Sequence, residues 1–141
     1  MKRTKRTKSV QDAIAKAEAV LPGQAAADGE VDERWQAIIA VGEFIETEPE
    51  SVWAFILRWG SAHDQDLRMA ISTCLLEHLL EQHFDSFIGK VEQHVRDDRL
   101  FADMVSSCWK FGKSERPDRS ARFDRLIASI RTRSGRRALE K

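Results

Sequence analysis

Three groups of residues in this chain have the types and spacing to do chemistry: a histidine–glutamate run, two aspartate pairs and a C-terminal arginine series. In EHLLEQH, positions 77–83, His78, Glu81 and His83 are the kinds of side chain that hold a hydrolytic metal. On a helix His78 and His83 stand about 140° apart around the axis, so they do not converge on one ion. The second histidine also falls one residue too late for the H-x-x-E-H zinc pattern. His78 therefore reads as a packed or hydrogen-bonded histidine, and His63 and His94 have no carboxylate or cysteine at ligand spacing. Asp64 with Asp66, and Asp97 with Asp98, could serve as acid–base carboxylates. Each pair stands where a helix begins, so capping is the expected role. There is no Gly-rich phosphate loop, no G-x-S-x-G and no recognisable Cys/His nucleophile pair. The expectation is a non-catalytic protein with no metal site and no cofactor.

The arginines are the other signal. Arg116, Arg119, Arg122 and Arg125 recur every third residue, and Arg131, Arg133, Arg136 and Arg137 extend the field. Spacing by three drifts about 60° per step, which spreads these cations over a polar face opposite Phe123, Leu126, Ile127 and Ile130. Formal charge is zero overall but uneven. Residues 1–16 hold six cations and one acid, residues 17–112 hold seven and eighteen, and residues 113–141 hold ten and four. An acidic body with two basic ends admits three readings: solvated solubilising ends, nucleic-acid binding, or docking on an acidic protein surface.

The elements that position these residues are helices. Three Pro, seven Gly and no Tyr, with no sustained polar/apolar alternation, leave strands unsupported. A basic stretch, a short helix over 9–21 and a flexible linker are expected in residues 1–31. Six helices then follow. The first is DERWQAIIAVGEFIE, capped at Asp32. The second is SVWAFILRWG, with Thr47 as cap and Pro49 in its first turn. The third is DQDLRMAISTCLLEHLL, apolar almost all round, and the fourth is FDSFIGKVEQHV, with one apolar stripe. The fifth is DRLFADMVSSCWKFG and the sixth DRSARFDRLIASIRTR, followed by a frayed basic tail over 131–141. Trp35, Trp53 and Trp109 read as core filler. Trp59, beside Arg58 near a helix end, is the tryptophan expected at a surface or interface.

A spacing of 34 relates several of these positions. It links Arg34 to Arg68, Val41 to Leu75, Ile45 to Leu79, Trp53 to Phe87, Leu57 to Val91, and Cys74 to Cys108. A third unit slips by two, so that Phe87 finds Phe123. DQDLRMAISTCLLEHLL resembles the leading helix of a HEAT-like repeat: acid, any residue, acid, aliphatic, Arg, then small and aliphatic residues. DERWQAIIAVGEFIETEPESVWAFILRW looks like a second copy with Arg34 in the arginine's place. DDRLFADMVSSCWKFG looks like a degenerate third. The resemblance covers residues 32–130 and implies an all-α superhelix, or solenoid, of about three HEAT-like helical hairpins. Arg68 is expected to pair with an acid of its own or the adjacent unit and so to set the stacking register. The small residues are expected to let neighbouring helices approach closely.

Cys74 and Cys108 are too few for a disulfide framework and read as small hydrophobes. No apolar run approaches the roughly 20 residues that span a bilayer. With no secretion signal visible, a cytoplasmic location is expected; the basic start would also suit a mitochondrial presequence. The functional expectation is a protein-interaction module built on stacked helix pairs, with a protein partner and no membrane contact. A helical module that binds nucleic acid through its basic ends is the alternative, and a homodimer would cap so short a stack.

Overall fold

A computed structural model describes residues 9–23, 32–108 and 116–139, with side chains as far as Arg133. All regular structure among these residues is helical. The elements are α1 (Val10–Val20), α2 (Glu33–Gly42), α3 (Pro49–Trp59), α4 (Gln65–Ile71), a π-helical segment (Ser72–Leu76), α5 (Glu77–Asp97), α6 (Arg99–Val105) and α7 (Pro117–Leu139).

The caps follow from side-chain chemistry. Ser9 accepts from the Asp12 amide, Asp32 from the Arg34 amide, Asp64 from the Asp66 and Leu67 amides, and Asp98 from the Phe101 amide. Each oxygen satisfies a donor that the first helical turn leaves without a partner. The expected Thr47 cap is not used: the residue preceding α3 is Glu48, and no side chain closes that end. Pro49 at the start of α3 has no N–H to satisfy, which reduces the need for a cap.

Several boundaries differ from expectation for local reasons. The packed region begins at Val10, not at Asp32. Ala13, Ala17 and Leu21 recur every four residues along α1 and are buried, and α1 packs on α2 and α3. The expected third and fourth helices follow each other directly from Gln65 to Asp97, the third passing through the π segment, and they part at His83, where the backbone leaves helical geometry (φ −134°, ψ 41°). The His83 ring anchors the bend, its Nε2 donating to the Ile45 carbonyl at 2.9 Å. The expected fifth helix ends at Val105. Ser106 Oγ donates back to the Asp103 carbonyl, and the Ser107 and Cys108 amides close tighter turns onto Met104 and Val105. The sixth helix continues to Leu139, beyond the expected start of the tail at 131. Residues 1–8, the linker over 24–31 and Trp109 lie outside the described residues.

Packing runs mostly between elements one or two places apart: α2 with α4, α3 with α4 and α5, α4 with α6, and α7 with α5 and α6. The close approach between α2 and the π segment is set by a glycine on the α2 side. A Cβ on Gly42 would lie 3.2 Å from the Cys74 carbonyl and 3.2 Å from Leu75, so a larger residue there would push the π segment away by a few tenths of an ångström. At the centre, Trp53 packs on Phe87 with ring centroids 5.6 Å apart, and edge-on to Phe101 at 6.2 Å.

Candidate functional site

The buried charges organise the body. Arg34, on α2, is 3% exposed. Its Nη1 donates to Asp64 at 2.8 Å and to the Gly23 carbonyl at 3.3 Å, and its Nη2 donates to Asp66 at 3.0 Å. Asp66 also accepts from Trp35 Nε1 at 3.0 Å. The arginine of α2 thus clasps the first turn of α4. Its hydrogen bond is the main cause holding the Asp64 carboxyl below the usual range. Burial alone would weaken the Arg34 charge, but the three surrounding aspartates outweigh it.

Arg68 stands 34 residues later and does the same kind of work. Its Nη1 donates to the Ala62 and His63 carbonyls at 2.8 and 3.0 Å. Its Nε and Nη2 donate to Asp103 of α6 at 3.2 and 2.9 Å. Both guanidiniums therefore bind carbonyls upstream and a carboxylate on a helix downstream. Cys74 and Cys108, the other polar pair at this spacing, are unpaired thiols. Burial pushes the Cys108 thiol up to about 12, with its Sγ 3.2 Å from Ser72 Oγ, and burial raises Cys74 as well. Neither is activated as a nucleophile.

The C-terminal arginines divide. Arg119 donates to Asp85 at 2.7 Å and lies 5.7 Å from the Phe84 ring centroid. Arg122 forms a two-pronged pair with Glu92, both bonds 2.8 Å, and this holds the Glu92 carboxyl below its usual range. Arg133 donates to the Val95 and Arg96 carbonyls at the C-terminal end of α5. These three fasten α7 to α5. Arg116 lies 4.0 Å from Asp118, and both are exposed. Arg125 is exposed, with no hydrogen bond or close ion pair among the described residues. The side chains of Arg136 and Arg137 lie outside the described residues.

Two concave regions bear on function. The first is a groove of about 370 Å³ between α2 and the α4–α5 run, lined by Ile39, Gly42, Thr73, Cys74, His78 and Gln82, among others. Ile39 at its rim is 45% exposed, and Met69, one turn before Thr73, is 38% exposed. These are the two exposed large hydrophobics among the described residues. Trp35 lies one turn before Ile39, so α2 presents an apolar strip that starts beside the Arg34 clasp and runs to the groove rim. The second region is a cleft of about 610 Å³ between the end of α5, α6 and α7. It is walled by Arg68, Arg96, Arg99, Arg131 and Arg133.

Trp59, expected at a surface, is half-buried, and its Nε1 donates to Glu18 of α1 at 3.3 Å. His78 Nδ1 lies 3.4 Å from Glu81, whereas His83 is turned to the Ile45 carbonyl. No group of three or more His, Cys, Asp or Glu among the described residues is placed to hold a metal ion. No helix among them is long and apolar enough to cross a membrane.

Residues 24–130 match a family of unknown function, DUF6869. The chain belongs to this family. No curated protein and no solved structure matches it. The family region includes both arginine clasps and the groove, and it ends at Ile130, a core residue of α7. It leaves out α1, which nonetheless buries Val10, Ala13 and Ala17 against the body.

Proposed function

We propose that this DUF6869 protein is a non-catalytic protein-interaction module built on stacked, HEAT-like helix pairs. Its partner docks on the groove between α2 and the α4–α5 run. The observation that carries the reading is the position of Ile39 and Met69. Ile39 is exposed at the rim of the groove on α2, and Met69 is exposed on α4 one turn before Thr73, which lines the groove; Asp64 and Asp66 nearby are tied to Arg34. Isolated exposed hydrophobics are ordinary, but a strip with a groove behind it is the form that protein contacts take. The stacked-pair reading rests on Arg34 and Arg68, which make similar clasps 34 residues apart, and on the tilted packing of Trp53 against Phe87, also 34 apart. Two unpaired cysteines suit a reducing compartment, and the proposal sets the protein in the cytoplasm.

Nucleic-acid binding through the basic ends has less support, because Arg119, Arg122 and Arg133 are engaged by α5. A photo-crosslinking residue placed at position 39, with position 125 as the comparison, tests the proposal in native lysate. A discrete protein adduct from position 39 that survives nuclease is expected, and an adduct of twice the chain's own mass would identify the partner as a second copy. Adducts from position 125 alone, or adducts lost on nuclease treatment, would overturn the reading.

A further inference from the structure

The cleft between α5, α6 and α7 has a chemistry that the docking proposal does not use. Its five arginines face two aspartates, Asp97 and Asp103, which leaves the lining at +3. Two of the arginines are fixed. Arg68 is held by Asp103 and the Ala62 and His63 carbonyls, and Arg133 by the carbonyls at the end of α5. The other three, Arg96, Arg99 and Arg131, are exposed and donate no hydrogen bond among the described residues. Between them the floor is apolar: Val95, Leu100, Ala102 and Ile130. Three elements converge here, so the cluster is not the solvated face of a single helix.

We infer that this cleft binds a compact, phosphorylated organic anion of the nucleoside di- or triphosphate class. Guanidinium forks match phosphate oxygens in pairs, and among the described residues Arg99 and Arg131 have no hydrogen bond or close ion pair, while Arg96 has only the longer-range attraction of Glu92. The apolar floor offers a surface for a flat organic body, and a volume of about 610 Å³ lies in the range of small-ligand sites. A polynucleotide fits less well. Its backbone would continue out of the cleft past Asp97 and Asp103 and along a body with eighteen acids against seven cations over residues 17–112. The ligand is therefore one whose charge ends within the cleft. This inference is independent of the docking groove.

Calorimetric titration of the full chain with ADP, inorganic pyrophosphate and a short oligothymidylate tests it. ADP is expected to bind saturably, and more tightly than pyrophosphate because it also covers the floor. Arg99→Ala and Arg131→Ala are each expected to weaken ADP about tenfold. Arg125→Ala, outside the cleft, is expected to leave ADP binding unchanged. Neither Arg99 nor Arg131 donates a side-chain hydrogen bond among the described residues, and amide chemical shifts of the unmodified chain provide a readout that requires no variant. Those shifts should move over residues 95–103 and 130–133. Four results would overturn the inference: no saturable ADP binding at millimolar concentration, pyrophosphate binding as tightly as ADP, oligothymidylate binding more tightly than ADP, or equal weakening by Arg125→Ala.

Discussion

The joint between α2 and α4 and the cleft between α5, α6 and α7 are both built around arginine, with opposite results. At the joint, Arg34 is buried and its charge is answered by Asp64 and Asp66, so Arg34 leaves no free cation on that surface, and Ile39, one α2 turn beyond Trp35, is exposed at the rim of the neighbouring groove. At the cleft, Arg96, Arg99 and Arg131 stay exposed with no hydrogen bond or close ion pair among the described residues, so the surface is charged beside apolar lining residues. The same side chain is a joint in one place and an open donor in the other. The difference lies in burial and in what the neighbouring helix supplies, not in the number of arginines. Contacts at the groove should be insensitive to salt, and contacts at the cleft should be screened by it.

The sharpest way to break this comparison is to remove the joint. Arg34→Ala takes away both bonds to α4 and the filler of a closed site, and it should cost about 3 kcal/mol in chemical denaturation. Arg34→Lys should recover only part of that, because an ammonium cannot fork between two carboxylates. A cost for Arg34→Ala no larger than that of a surface substitution would mean that apolar packing alone joins α2 to α4.

Acid should act on the same joint. Asp64 and Glu92 are held below their ordinary values of 3.8 and 4.5. The stability they contribute is present above those ordinary values and is lost as pH falls through the depressed native ones. Denaturation midpoints followed from about pH 5 to about pH 2 should fall in the wild type, and less steeply in Arg34→Ala, where the main cause of the Asp64 shift is gone.

Smaller effects are expected on α7. Arg122 is 42% exposed, and although its pair with Glu92 is well formed, Arg122→Ala should cost about 1 kcal/mol or less, and less still in high salt. Arg125→Ala should change stability by under about 0.5 kcal/mol. If Arg122 proved as costly as Arg34, burial would not be the variable that separates the two regions.

Part of this was legible in the sequence. The caps at Asp32, Asp64 and Asp98 and the burial of Trp53 follow from residue type and helical spacing, which are local. The spacing of 34 singled out Arg34 and Arg68 without their partners. Asp66 and Asp103 lie 32 and 35 residues downstream, and only the packing of helices selects them. The role of α1 was missed because Ala13 and Ala17 give a weak apolar signal, although small residues are what close helix packing requires. The π segment left no periodic trace, since its side chains still fall on an apolar run. The end of α6 was written in Ser106 and Ser107, but apolar periodicity through Cys108 concealed it. The cleft escaped because Arg96, Arg99 and Arg131 come from three elements and share no motif.

The most direct test of the central claim is partner retention by immobilised protein at low and at moderate salt. The wild type would be compared with the double variant Ile39→Glu, Met69→Glu and with Arg99→Glu. The account predicts that the protein partner is retained by the wild type and by Arg99→Glu at both salt levels and is lost from the groove variant. Retention by the groove variant, with loss from Arg99→Glu or on raising the salt, would contradict it and make the arginines the binding surface.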